Sequence, residues 1–361
     1  MKKIGIFTFH RTNNYGAVLQ NYALQKGLRN IFCDDKVETI NYVNDYLEAP
    51  YKIPPFSDKN SNFIKVIIYK IRYLLFINKF HRLCTEFEKF RNDNLFVSKE
   101  YFKNNIMNGF YDYDIYITGS DQVWNDVITG GDEVYSLGFK TDGIKVSYAA
   151  SAGSINTIGE NTKSNILEIN YISVRETELQ QYLVEKTDKQ IYTVVDPVFL
   201  LKKDEWDILL NDNKHKKPFI FTYSVSEMTD DVVKLAKSIS KKTGYEIYHI
   251  DHSIKYGING RCVYGASPSE FTEYIRDAEI VIASSFHAVA FSIIYGKKFI
   301  VIPTKKTASR LIELLRLVDA EDNMYDSYDD YLKNSKPIKI ADACKLNERI
   351  LDSIEFLKQV I

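Results

Sequence analysis

The sequence predicts an α/β protein made of two doubly wound domains, and three observations carry that prediction. Short apolar runs of strand character alternate with amphipathic segments of helix length along most of the chain, the pattern of βαβ units that close parallel sheets. The runs themselves, such as Ile280-Val-Ile-Ala283, are apolar on both faces, as interior parallel strands are. The polar segment Leu210-Asn-Asp-Asn-Lys-His-Lys-Lys-Pro218 interrupts this rhythm and divides the chain in two.

Taken in order, residues 4–9 read as the first strand, 16–28 as a helix and 36–42 as the next strand. Residues 113–118 form a strand of the same kind, followed by the turn Gly119-Ser-Asp-Gln-Val-Trp-Asn125, and 145–149, 171–174 and 191–195 continue the sheet. These make a first domain, 1–205. After the linker, 219–223, 246–250, 279–283 and 299–302 are the strands of a second domain, 206–335. Within it, Glu279-Ile-Val-Ile-Ala-Ser-Ser-Phe-His287 reads as a buried strand, a serine cap at Ser284 or Ser285, and a helix with His287 in its first turn. Phe286, Val289, Ala290, Ile293 and Ile294 recur at helical spacing up to Gly296, a natural stop. The tyrosine-rich stretch 319–331 and a helix within 336–361 are expected to return to the first domain. An insert near 63–90 departs from the alternation. Its run Phe63–Arg82 joins a wide apolar face to Lys65, Lys70, Arg72, Lys79 and Arg82. It reads as a helix covering the first sheet or as an interfacial helix, to which anionic lipid would add about 1 kcal/mol per cation.

Composition excludes several classes. Lys+Arg 47 against Asp+Glu 48 in 361 residues gives no basic excess for nucleic acid. Cys33, Cys84, Cys262 and Cys344 lie far apart, without the spacing of a zinc site or a disulfide framework, so no metal is expected and a reducing cytoplasm is the natural location. The apolar run at the N-terminus is too short for a signal peptide, and no run of 18 uncharged apolar residues is present.

Ligands of doubly wound sheets bind beyond the carboxyl ends of strands, and the polar residues there are the candidates. A helix start after a parallel strand offers free N–H groups and partial positive charge, which suits a phosphate or carboxylate beside His287. A serine serving only as a cap and a histidine that only fills space are the plain alternative. The loop His10-Arg11-Thr12-Asn13-Asn14-Tyr15-Gly16 carries donors, an aromatic ring and a glycine that permits close approach. In the turn 119–125, Asp121, Trp124 and Asn125 combine an acid, an indole and an amide, a mixture that binds sugars by stacking and hydroxyl hydrogen bonds; Asp121 serves equally as a helix cap. The segment Ile302-Pro-Thr-Lys305-Lys306-Thr-Ala-Ser309-Arg310 places three cations beyond the strand that follows the His287 helix.

Six motifs in order, Asn14-Tyr-Gly-Ala-Val-Leu-Gln20, Gly119-Ser-Asp-Gln-Val-Trp-Asn125, Ser147-Tyr-Ala-Ala-Ser151, Ser173-Val-Arg-Glu176, Asp196-Pro-Val-Phe-Leu200 and Ser284-Ser-Phe-His287, together resemble those of the polysaccharide pyruvyl transferases. The resemblance implies two Rossmann-like domains facing across a cleft, as in GT-B glycosyltransferases. It implies phosphoenolpyruvate as donor, a sugar of a cell-surface polysaccharide or its lipid-linked precursor as acceptor, and a cyclic pyruvyl ketal as product; no residue pattern indicates a cofactor, and contact with the inner face of the membrane is expected from the interfacial reading of Phe63–Arg82. On it, His287 moves the proton; Arg175, Ser284, Ser285, Phe286, Lys305, Lys306 and Arg310 are donor-binding; His10, Asn14, Tyr15, Asp121, Trp124 and Asn125 are acceptor-binding. Arg175 as a plain ion pair with Glu176 or Glu178 is the competing reading. One departure stands out: some members carry an arginine two positions before the motif histidine, where this chain has Ser285, so Arg310, Lys305 or Lys306 would replace it. A glycosyltransferase using a nucleotide sugar and a non-catalytic sugar binder are the alternatives.

Overall fold

The computed structural model describes residues 1–51, 63–211, 215, 217–225, 229–250 and 260–361, with side chains of the helix Phe63–Asn94 from residue 77 onward. Its first sheet has seven parallel strands: β1 (Lys3–Phe7), β2 (Lys36–Tyr42), β3 (Val97–Tyr101), β4 (Ile115–Thr118), β5 (Ile144–Ala150), β6 (Tyr171–Val174) and β7 (Ile191–Thr193), in the order β3-β2-β1-β4-β5-β6-β7. The second has five: β8 (Phe219–Tyr223), β9 (Glu246–Ile250), β10 (Arg261–Val263), β11 (Ile280–Ala283) and β12 (Lys298–Val301), in the order β10-β9-β8-β11-β12 and also parallel. Both sheets therefore reverse direction beside their first strand. That reversal opens a crevice at the carboxyl ends of β1 and β4 in one sheet and of β8 and β11 in the other.

The two halves share a core. Tyr15 and Val18 of the Tyr15–Ile31 helix, Phe87 and Phe90 of the long helix, and Phe271, Phe286 and Phe291 of the second half belong to one buried cluster. Tyr15 stacks on Phe271 with ring centroids 4.7 Å apart, and its hydroxyl donates to the carbonyl of Ala266 at 2.8 Å. The final helix, Cys344–Val360, lays Phe356, Leu357 and Val360 against Ile4, Ile6 and Ile117 of the first sheet. It also returns the Ser353 hydroxyl to accept from the Val195 amide at 3.0 Å.

The helix Phe63–Asn94 runs to 32 residues, and its described half is a strap between the halves. Phe87 packs on Tyr15, Lys79 sits 3.6 Å over the ring of Tyr264, and Arg82 lies 3.6 Å from Glu270. Lys79 and Arg82 thus face the second domain, while the side chains of Lys65, Lys70 and Arg72 lie outside the described residues. Among the described residues, no helix is long and apolar enough to cross a membrane.

Candidate active site between the sheets

The strands position the site by where they end. β5 ends in a bulge: its register with β6 shifts between Ser147 and Ala150, and Ala149 takes φ +50°, a left-handed conformation that non-glycine residues adopt at a cost. Asp121, at φ +77°, bridges to Ala150 beyond the end of β4. The bulge turns the Ala150 carbonyl to accept from the Arg175 amide at 3.2 Å, and so fixes the residue that follows β6.

Asp196, just past β7 and 1% exposed, is the centre of the constellation. Its Oδ2 accepts from Arg175 Nη1 at 2.7 Å and from Ser120 Oγ at 3.1 Å, and lies 3.6 Å from His287 Nε2; Oδ1 accepts from the Val198 amide at 3.2 Å. Burial by itself would raise the Asp196 carboxyl. His287 first, then Arg175 and the Val198 N–H, overcome burial and hold it well below the usual carboxylate range. Glu176 takes a 2.5 Å bond from Ser151 Oγ and stands 3.6 Å from Arg175 Nη2. Burial opposes the charge of Arg175, but Glu176, Asp196 and Asp121 together raise it.

His287 is contributed by the second half. Ser285 occupies the N-cap of the Phe286–Ile294 helix without a side-chain cap bond, and Ser284 Oγ pairs instead with Ser224 Oγ at 2.9 Å. The first-turn N–H groups therefore receive no cap from the Ser285 side chain, and a helix satisfies none of them internally. Among the described residues His287 Nε2 has no hydrogen-bond partner, nor do Arg175 Nε, Arg175 Nη2, Glu176 Oε2 and Arg310 Nε. Arg310, on the Ala308–Leu317 helix, is buried, has no carboxylate within ion-pair distance among the described residues, and is lowered first by burial and then by Arg175. The Arg175 guanidinium also stacks 4.9 Å over the Phe286 ring. A cavity of about 100 Å³ is lined by Arg175, Glu176, Asp196, Phe286, Arg310 and Glu313. Arg175 and Arg310 repel each other while Glu176, Asp196 and Asp121 offset part of their charge, so the groups left to bind a ligand here are the arginine nitrogens without hydrogen-bond partners among the described residues.

The structure distributes the remaining predicted residues unevenly. Lys305 and Lys306 are exposed in the turn before the Ala308–Leu317 helix and do not line that cavity. Asn14 caps the Tyr15–Ile31 helix at Ala17 N, and Asn125 caps the next short helix at Val127 N. Tyr15 and Trp124 were expected to offer rings to a sugar. Both are fully buried instead, Tyr15 between the halves and Trp124 in the core of the first sheet, because aromatic bulk at those positions fills space. His10, 3% exposed, has Nδ1 3.3 Å from Thr8 O and Nε2 3.3 Å from Asn41 Oδ1, to one of which a neutral ring donates, in a second cavity above β1–β3. Arg175 does make the ion pair with Glu176 of the competing reading, at 3.6 Å, but its shorter pair, at 2.7 Å, is with Asp196, which that reading did not name, and Nε and Nη2 have no hydrogen-bond partner among the described residues.

Sequence reasoning did not single out Asp196, Glu176, Ser120 or Gly16 as site residues. The signal for Asp196 was its position, an acid immediately past a strand and before a proline; for Gly16, a glycine at a helix start facing a ligand loop.

Two parallel sheets of matching strand order, with their ligand-binding crevices facing each other, define the two-domain, GT-B-like class. Over its full length the chain superposes on 91% of a protein assigned as a UDP-N-acetylglucosamine 2-epimerase from Listeria monocytogenes, with TM-score 0.50 and 10% identity. It superposes over 99% of its length on 97% of Arabidopsis thaliana UGT89C1, solved with UDP-L-rhamnose, with TM-score 0.50 and 12% identity. At such identities the likeness is one of fold. No curated protein matches the sequence. Residues 14–306 match the polysaccharide pyruvyl transferase family, and the chain belongs to it.

Proposed function

We propose that the protein transfers the pyruvyl group of phosphoenolpyruvate onto a sugar of a cell-surface polysaccharide or its lipid-linked precursor, forming a cyclic ketal. The observation that supports this reading most is the cross-domain group of His287, Asp196, Arg175 and Arg310 at an uncapped helix start, in a chain of this family. Phosphate and carboxylate of the donor are held by Arg175, Arg310 and the N–H groups that follow Ser285, which take the place of the arginine found in some relatives. Phe286 supports Arg175 from below its guanidinium plane.

His287 gives its proton to the methylene carbon of the enol, whose π electrons form the new C–H bond. Carbon 2 becomes cationic and a sugar hydroxyl adds to it, losing its proton to a cleft carboxylate, for which Asp121 is placed close enough to act on both arginines. Phosphate leaves with the electron pair of its C–O bond, and a second hydroxyl closes the ring. The two hydroxyl protons replace the one His287 gave and accompany the phosphate. A histidine suits this step because its ordinary pKa, about 6.5, lies near neutrality. Asn14, Asp121 and Asn125 face the acceptor.

The test is phosphate release from phosphoenolpyruvate by wild type and His287→Ala against galactose-, glucose- and N-acetylmannosamine-terminated acceptors with a lipid-like tail. Release that needs both acceptor and His287 supports the reading. Turnover undiminished in His287→Ala would remove the mechanism, and silence together with binding of uridine or guanosine diphosphates would replace it with nucleotide-sugar chemistry.

A further inference from the structure

The second cavity, above the carboxyl ends of β1–β3, is used by none of the steps above. Its volume, about 500 Å³, is five times that of the cavity at Arg175. It is too large for an anion the size of phosphoenolpyruvate and lies within the range of small-ligand sites. Its floor is the first sheet, with His10 and Asn41; its roof is the long helix, with Cys84, Glu88, Arg91 and Asn92.

The lining alternates donors and acceptors that already hold one another in place. Arg11 Nη1 donates to Asn41 Oδ1 at 2.7 Å and pairs with Glu100 at 3.1 Å, while its Nε pairs with Glu48 at 2.7 Å. Arg91 Nη1 reaches the Thr12 carbonyl at 3.4 Å and Asn13 Oδ1 at 3.2 Å, and Arg91 has no carboxylate within ion-pair distance among the described residues. Two cations, Arg11 and Arg91, face three carboxylates, Glu48, Glu88 and Glu100, so the cavity favours neither a strong anion nor a strong cation. Fixed, nearly balanced donors and acceptors are what an uncharged polyol needs, because each hydroxyl both gives and takes a hydrogen bond. Tyr51, which lines this cavity, hydrogen-bonds Asn14, the cap residue of the Tyr15–Ile31 helix whose Gly16 touches His287, so the two sites lie at the same helix start.

We infer that this cavity is a subsite for a second, neutral sugar unit of the acceptor, next to the unit that receives the pyruvyl group, with the long helix as its specificity wall. The inference rests on the reading of the chain as a sugar-modifying transferase. It predicts an enzyme that prefers an oligosaccharide to a single sugar.

Asn92 lines the cavity, is exposed and makes no side-chain hydrogen bond among the described residues, so Asn92→Trp fills the space without removing a side-chain bond. Arg91→Gln removes donors from the roof. Calorimetry without phosphoenolpyruvate, using methyl galactoside and methyl glucoside against galactotriose and cellotriose, measures the subsite apart from turnover. One of the trisaccharides should bind about tenfold or more tighter than its monosaccharide, the scale of one or two well-made hydrogen bonds. Both variants should bring the trisaccharide to the monosaccharide level while leaving the monosaccharide unchanged, with far-ultraviolet circular dichroism and Tm confirming that they fold. Equal affinity for mono- and trisaccharide in wild type, a preference that survives Asn92→Trp, or no saccharide binding at all would overturn the inference. Saccharide binding sensitive to Asn92→Trp, in a protein that releases no phosphate from phosphoenolpyruvate, would uphold the subsite and reject the pyruvyl donor.

Discussion

Gly16, in the first turn of the first domain's leading helix, lies directly against the imidazole of His287 from the second domain. A Cβ at Gly16 would stand 2.1 Å from His287 Nδ1 and 2.6 Å from Cε1. This contact sets the histidine from one side as the 3.6 Å approach to Asp196 sets it from the other. Both constraints come from the first domain, so the position of the His287 ring depends on how the two domains pack on each other.

Gly16→Ala is therefore expected to displace the ring by about 1 Å or more. Misplacement on that scale costs roughly 10²-fold in rate. The same substitution favours the helix intrinsically by about 1 kcal/mol, so stability should fall less than activity does. Steady-state phosphate release, set beside thermal melting, separates the two effects. Wild-type turnover in Gly16→Ala would show that His287 does not need its observed position.

Asp196→Asn keeps the shape of the central carboxylate and removes its charge. Arg175 would then keep only Glu176, at 3.6 Å, and the more distant Asp121, and breaking a buried pair from one side costs about 3–5 kcal/mol. A large drop in Tm should accompany loss of turnover. The pH dependence follows from the direction of the shift. A carboxyl held below its unfolded value of about 3.9 contributes stability that is complete above that pH and is lost as pH falls below it. Urea denaturation at pH 5 and pH 3 should show wild type losing more stability on acidification than Asp196→Asn; parallel losses would contradict the assignment.

His10 supplies a second titration, at higher pH. Burial, opposed by its bonds to Thr8 and Asn41, lowers it from 6.5 to about 4, so the folded state holds it neutral. Its contribution is complete above pH 6.5 and is lost as pH falls toward 4, because the unfolded chain binds the proton first. Full loss corresponds to about 3 kcal/mol. Comparing urea midpoints at pH 7.5 and pH 4.5, His10→Asn should flatten this part of the profile. An unchanged slope would mean that His10 is protonated in the folded protein.

The strands that organise both sheets were legible because they are apolar on both faces: β4 and β11 are buried at every position. The sequence did not reveal β3 and β10, because Val97-Ser-Lys-Glu-Tyr101 and Arg261-Cys-Val263 are edge strands whose outer sides meet solvent and carry charge. Ligand loops were legible by the same logic, as polar clusters just past apolar runs. What those loops do to one another was not. Asp196 meets His287 across the two domains, and Gly16 meets it from the far end of the chain, contacts that no local pattern encodes. Trp124 illustrates the opposite error: its neighbours Asp121 and Asn125 are polar, but its indole turns inward to a core that only the assembled sheet defines.

Arg310 offers a test in which function and stability should move in opposite directions. It is a buried cation whose charge is opposed by burial and by Arg175 and supported by Glu176, Asp121 and Asp196, none of which lies within ion-pair distance of it, so that burial and Arg175 prevail. A protein gains nothing in stability from that arrangement, since two like charges in a poorly solvated region repel. On the proposed function a dianionic donor would lie between the two arginines and add charge-assisted hydrogen bonds to the support that Glu176, Asp121 and Asp196 give from farther off. Arg310→Gln should accordingly raise the Tm of the free protein, by about 2 °C for each kcal/mol relieved, while it raises the KM for phosphoenolpyruvate about 10- to 100-fold. The stabilisation that phosphoenolpyruvate gives wild type in thermal melting should shrink in the variant. If Arg310→Gln instead lowers the Tm and leaves KM unchanged, the arginine is a structural element of the Ala308–Leu317 helix and the donor is held by Arg175 and the helix start alone.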